Sequence, residues 1–303
     1  MKNYDNNENK IIKQIDILNN SKEVKNFVDK IKNLVLENGA YYVFSRIKNK
    51  ESAIDSYRTN KNKSKVDPDL YKTVILTSSN VTYSFKNVDS IVDLLGLRIV
   101  TLDIETIYKI VEILKEKYNF YLIADLVSDR HVGFEYRAVH MYSKVRVDNI
   151  DFEIPIEIQI KTYEMHHSWE GLHDTIYKNP NVNFDDGCTL LPILFKLFEY
   201  NCKVIREYLF NGKFEYNFTA IESIIKYNQP LFDKYKSDIE HACYLFAKSI
   251  YYDKNNKLNE KQLFNKFNNL KNSKKVNDCP LHICGYKNIE YATYCIATNQ
   301  LSE

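Results

Sequence analysis

The chain has 303 residues, 44% of them hydrophobic and 27% charged, which supplies a packed core and excludes wholesale disorder. Seven glycines and six prolines exclude a collagen-like or low-complexity architecture. A net charge of +2 excludes bulk nucleic-acid binding by a strongly basic domain, although not a local basic patch.

In chain order, the N-terminal stretch MKNYDNNENKIIKQ is polar and lacks the apolar core of a signal peptide. No apolar run reaches the roughly 18 residues that span a bilayer. The chain is therefore expected in the cytoplasm, with no membrane partner. Residues 21–38 predict a helix, because Val24, Phe27, Val28, Ile31, Leu34 and Val35 fall on one face. Ser21 is placed to cap it and Gly39 to end it. The run SRIKNK (45–50) reads as a loop into a short helix around 51–59, and 60–70 as a mobile polar loop. A buried strand is expected at 96–102, a helix at 104–118, and strands at 120–127, 135–147 and 153–161. Residues 163–178 read as helical, and further helices fit 190–209, 216–227, 230–252 and 259–271. The pattern is that of a sheet with helices packed on it, followed by a mainly helical extension.

Four stretches could carry chemistry. In EIPIEIQIKT, strand alternation puts Ile154, Ile156, Ile158 and Ile160 on one face and Glu153, Glu157, Gln159 and Lys161 on the other. A carboxylate, an amide and a cation are then aligned, as they are also on any solvated sheet face. In DLLGLRIV, Asp93 stands before a hydrophobic strand that contains Arg98. Such a carboxylate suits Mg²⁺, which takes hard oxygen ligands from one or two carboxylates plus substrate phosphates, and it equally suits a turn. In GFEYRAVHMY, a strand would put Tyr136, Ala138 and His140 on one face, where a ring and an imidazole could hold a base and its sugar, or simply pair across strands. Arg46 and Lys48, beside a helix start, suit phosphate or form an ordinary basic loop.

In this order, RIKNKES, DLLGLR, EYRAVH, EIQIKT and SWEGLH followed by DTIYK resemble the RelA/SpoT alarmone synthetase domain over about residues 40–180. The resemblance implies an α+β fold: a nucleotidyltransferase-like mixed β-sheet flanked by helices, with the mainly helical C-terminal extension. The chain would divide into an N-terminal helical segment (1–40), a synthetase domain (41–184) and that extension (185–303). The implied activity is transfer of the β,γ-diphosphate of ATP to the 3′-hydroxyl of GDP or GTP, with Mg²⁺ as cofactor. Asp93 and Glu157 would be the catalytic, metal-binding acids. Arg46, Lys48, Arg58 and Arg98 would serve ATP, and Tyr136, His140 and Lys161 the acceptor. His173 matches a position that supports the site. Two departures bear on acceptor choice. Glu135 replaces a usual Gly before Tyr136, with Arg130 or His131 standing in for a lysine, and Ser56 replaces a basic residue that Arg58 could supply. A tRNA 3′ end is the alternative acceptor, and an inactive nucleotide- or partner-binding module the alternative function. A homo-oligomer or an antitoxin partner would also fit.

The six cysteines all lie from Cys188 onward and are expected to be thiols in a reducing compartment. Cys279, His282, Cys284 and Cys295 could supply zinc ligands, with irregular spacing, or small buried side chains in the tail.

Overall fold

The computed structural model describes residues 5–66, 74–75, 82–83, 93–128, 136–211, 219–255, 259–273, 279, 281 and 285–300. The chain forms two compact units. The first is Met1–Asp129 with Arg137–Thr162, and the second is Arg130–Tyr136 with Tyr163–Glu303.

The first unit opens with helices α1 (Asn6–Asn20) and α2 (Lys22–Glu37). Asp5 caps α1 through the Asn7 and Glu8 backbone N–H groups, and Glu8 accepts in return from the Asp5 N–H at 3.0 Å. Ser21 caps α2 as expected, accepting from Val24 N–H at 3.1 Å. Just past α2, Gly39 takes φ +102°, a conformation only glycine adopts freely.

Strand β1 (Tyr42–Ile47) and helix α3 (Lys50–Val66) correct the local reading. Ser45, Arg46 and Ile47 are not loop but the end of β1, drawn into the ladder because Val43 and Ile47 pack on the core. Residues 60–66 continue α3 rather than forming a loop, since nothing before Pro68 breaks a helix. Residues 67–70 of the expected loop lie outside the described residues. Strands β2 (Val74–Ile75) and β3 (Thr82–Tyr83) form a small antiparallel pair.

Then follow β4 (Leu95–Thr101), α4 (Ile104–Tyr118), β5 (Tyr121–Asp125), β6 (Val139–Val145) and β7 (Ile154–Thr162). The five-stranded sheet runs β1-β4-β7-β6-β5, with β4 and β7 parallel and the other pairs antiparallel. This is the expected mixed sheet flanked by helices. One face is core: Leu95, Leu97, Ile99, Val139, Met141 and Ile154 to Ile160 at every second position. Ile11, Ile15 and Leu18 of α1, Val28 and Ile31 of α2, and Ile110 and Leu114 of α4 belong to the same buried cluster. Because side chains alternate, this burial decides which residues face the other way.

The second unit is helical, as expected: α5 (Tyr163–Leu172), a π-helical turn (His173–Tyr177), α6 (Phe184–Asn211), α7 (Thr219–Tyr227), α8 (Gln229–Lys234), α9 (Lys236–Asn255), α10 (Glu260–Lys271) and α11 (Lys287–Ala297). Helix α5 packs on α6 and α9, and α11 on α9 and α10. Glu164 of α5 and Arg206 of α6 pair at 2.9 Å. Among the described residues no helix is long and apolar enough to cross a membrane.

Candidate active site

The register lines up the polar residues of the sheet. Arg46 of β1 stands opposite Gly96 of β4, Gly96 opposite Glu157 of β7, and Glu157 opposite Tyr142 of β6. One rung along, Arg98 stands opposite Gln159, and Gln159 opposite His140. Strand parity places all of them on the face away from the aliphatic core. Arg46 lies over Gly96 in this row. A Cβ there would already be in contact with Arg46 Cγ and Nε, at 3.6 and 3.7 Å.

Glu157 is the centre of this row. Its Oε1 lies 3.1 Å from His140 Nδ1, and its Oε2 accepts from Gln159 Nε2 at 3.2 Å. An ionised carboxylate only accepts, so His140 presents a protonated Nδ1 to it. Burial is the largest single influence on Glu157 and raises its pKa. The hydrogen bond and charge of His140, the Gln159 amide and the Arg46 charge together outweigh burial, and the net direction is downward from 4.5. A catalytic base would call for a mildly raised value; the structure gives the opposite direction, because His140 sits directly on the carboxylate. Since the folded-state value lies below the unfolded one, ionised Glu157 stabilises the fold above about pH 4.5. That contribution is lost as pH falls through the lowered value.

The balance makes a testable prediction. His140→Ala removes the strongest lowering influences and leaves burial in place, so the pKa of Glu157 rises. The acid limb of the kcat/KM profile for substrate turnover is expected to move to higher pH. An unmoved limb would show that His140 does not hold this acid in its charged form.

Asp93 is two residues before β4 and meets the residue just after β1. The ladder continues through the Lys48 N–H, which donates to Leu94 O at 2.9 Å. Lys48 Nζ donates to both Asp93 oxygens, at 2.7 and 2.8 Å, with side-chain exposures of 14% and 26%. Asp93 therefore lies just before the strand whose Gly96 pairs with Glu157.

The other predicted residues are distributed differently. Arg98 is half-buried on the polar face. Lys161 shares that face by parity but is fully buried, in register with Val100, so it is not presented to solvent. Arg58 pairs with the buried Glu8 at 2.7 Å and ties α3 to the start of α1. Tyr136 does not share a strand with His140, because β6 begins only at Val139. Tyr136 belongs to the second unit, where its ring packs on Trp169 at 4.7 Å between centroids. Trp169 also touches Tyr177 at 5.3 Å and His173 at 5.7 Å, and His173 Nδ1 lies 2.7 Å from Asp174. Glu135, Arg130 and His131 lie outside the described residues.

Sequence reasoning left Gln159, Gly96 and Trp169 without a role. Period-two alternation places Gln159 beside Glu157, and a glycine inside a hydrophobic strand signals a close approach, so two of the three carried a signal. Five cysteines are free thiols among the described residues, and burial pushes the Cys279 thiol up to about 12. His282 and Cys284 of the zinc candidate lie outside the described residues. Among the described residues no three His, Cys, Asp or Glu side chains cluster as metal ligands.

Residues 45–182 match the family model described as "Region found in RelA / SpoT proteins". This segment is similar to that region. Small alarmone synthetase 1 from Bacillus subtilis, solved with its product pppGpp, is 17% identical, with 66% of this chain and 90% of that one covered and a TM-score of 0.41. Small alarmone synthetase 2 from Bacillus subtilis is 20% identical, over 60% of this chain and 90% of that one, with a TM-score of 0.42. A GTP pyrophosphokinase family protein from Streptococcus pneumoniae is 21% identical, over 65% and 88%, with a TM-score of 0.40. No curated protein matches the chain. The RelA/SpoT segment begins at Ser45, inside β1, and takes in Arg46, Lys48, Asp93 and Glu157.

Proposed function

We propose that the chain is a pyrophosphokinase that moves the β,γ-diphosphate of ATP to the 3′-hydroxyl of GDP or GTP. The observation that carries this reading is the polar sheet face of the RelA/SpoT segment. There Glu157, held ionised by His140 and Gln159, stands in a row with Arg46, one rung from Arg98.

In this reading the acceptor's 3′-oxygen forms a bond to the β-phosphorus of ATP. The bond from that phosphorus to the α,β-bridging oxygen breaks, and AMP leaves with its electrons. Arg46, Lys48 and Arg98 bind and orient the triphosphate and offset its charge, which is most of what such a transfer requires. Glu157 accepts a hydrogen bond from the 3′-hydroxyl, aims its oxygen, and takes the proton as the new bond forms. Its lowered pKa suits orientation and late proton capture better than early deprotonation.

The carboxylates also fit Mg²⁺. Asp93 and Glu157 are hard oxygen donors, and the Lys48 ammonium holds both Asp93 oxygens, so Asp93 would take a cation once Lys48 turns away. With these two acids to hold it among the described residues, the ion would complete its shell with phosphate oxygens and water. When bound, it would neutralise developing charge on the transferred group.

Tyr136 carries the acceptor base in this reading, and its contact with Trp169 makes this measurable. Trp169 is the chain's one tryptophan. GDP or GTP is expected to change its fluorescence, and Tyr136→Ala to remove the change; an unaltered response in that variant would take the base away from Tyr136. For the activity itself, pure protein is incubated with γ-labelled ATP, Mg²⁺ and either GDP, GTP or tRNA. Label on GDP or GTP supports the proposal. Label on tRNA alone reassigns the acceptor, and label on none leaves a binding module.

A further inference from the structure

Arg46 of β1 and Lys48 just after it bring two cations to the side of the sheet that carries the acids. Arg46 acts on Glu157, and Lys48 holds Asp93 through both of its oxygens. The second contact is built in rather than incidental. The Lys48 backbone is pinned to Leu94 by the ladder hydrogen bond, next to the residue its side chain grips. Its side chain is 14% exposed, so water competes weakly for the contact. A divalent cation approaching Asp93 meets a positive charge already at bonding distance from both oxygens. A triphosphate approaching Lys48 meets an ammonium already neutralised.

We propose that Lys48 is a resident counterion of Asp93, which it releases only to nucleotide phosphate, so that the acid accepts a divalent cation only together with the nucleotide. This rests on the reading of Asp93 as a cation ligand and Lys48 as a phosphate contact, and adds the exchange between them. In that exchange no covalent bond changes. The ammonium moves from carboxylate to phosphate, and the carboxylate turns to the cation that the nucleotide brings. Before it, Lys48 and Asp93 neutralise each other without either ligand. Afterwards the cationic charge of Lys48 faces the triphosphate, where it is needed. Lys48 is thus a positioning residue for the order of binding as well as a phosphate contact.

The test measures cation binding rather than turnover. Mn²⁺ is titrated into the full chain with and without a non-hydrolysable ATP analogue, and bound ion is followed by water-proton relaxation. Wild type is expected to bind Mn²⁺ weakly alone and tightly with the analogue. Lys48→Gln is expected to bind Mn²⁺ about 10-fold or more tightly in the absence of nucleotide, because the competing charge is gone. Lys48→Arg, which keeps the charge, is expected to resemble wild type, and circular dichroism checks that each variant folds. Asp93→Asn is expected to bind Mn²⁺ weakly under both conditions.

If Lys48→Gln melts lower but binds Mn²⁺ as wild type does, the pair is structural and the exchange is wrong, while an Asp93→Asn defect with the analogue leaves the metal reading standing. If Asp93→Asn binds Mn²⁺ normally with the analogue, Asp93 is not a ligand, and the metal reading falls with the exchange.

Discussion

Glu157→Gln is expected to lower diphosphate transfer by about 10²- to 10⁴-fold at saturating nucleotide, the range spanned by general-base groups. The substitution keeps the shape of the side chain and removes its charge. Two donors, His140 Nδ1 and Gln159 Nε2, address the two carboxylate oxygens at 3.1 and 3.2 Å. A glutamine has one acceptor oxygen and one amide donor, so both contacts are kept only if His140 moves its proton to Nε2 and accepts from the amide at Nδ1. The hydroxyl loses both the acceptor that aims it and the group that takes its proton. The measurement is labelled-phosphate transfer alongside a melting curve. The core side of β7, with Ile154, Ile156, Ile158 and Ile160, is untouched, so the variant is expected to fold, with a melting temperature at pH 7 lowered only by the lost stabilisation from the ionised carboxylate. Transfer within a few-fold of wild type in a folded variant would remove Glu157 from the chemistry.

Gly171→Ala is expected to destabilise the helical unit by about 2 kcal/mol, lowering its melting midpoint by roughly 4–8 °C. In an exposed helix the same change would be favourable, since alanine is a better helix former than glycine by about 1 kcal/mol. Here an added Cβ would meet Phe198 Cε2 at 2.8 Å, the Ala242 carbonyl oxygen at 2.9 Å and Phe246 Cβ at 3.0 Å. Phe198 is on α6, and Ala242 and Phe246 are on α9, so both helices close on α5 at the one position without a side chain. A backbone oxygen and the root of a side chain cannot swing aside as a ring edge can, so at least one helix must back away. Thermal unfolding followed by far-ultraviolet circular dichroism checks this. A midpoint equal to or above that of wild type would show that the helices have slack there.

Much of the site was visible in the chain because strand alternation is a local property. The isoleucines of EIPIEIQIKT announced which face of β7 would be buried, and so which would carry Glu157 and Gln159. Asp93 at a strand entrance and Ser21 and Gly39 at helix ends were legible for the same reason: each is decided by its immediate neighbours. Arg46 was misread because SRIKNK has no alternation of its own. Its extension into β1 comes from pairing with β4, a partner some fifty residues away in the chain.

The order of motifs, the apolar periods and the capping residues were enough to determine an α+β chain with a RelA/SpoT-like segment and a helical remainder. Each of these depends on residues within a few positions of one another. Tertiary structure alone decided that Arg46, Gly96, Glu157 and Tyr142 stand in one row, that Lys48 closes on Asp93, that Lys161 is buried and that Arg58 turns to Glu8. These follow from strand register and from which helix lies against which. Both are settled by packing energy summed over the whole core, which no short stretch of the chain contains.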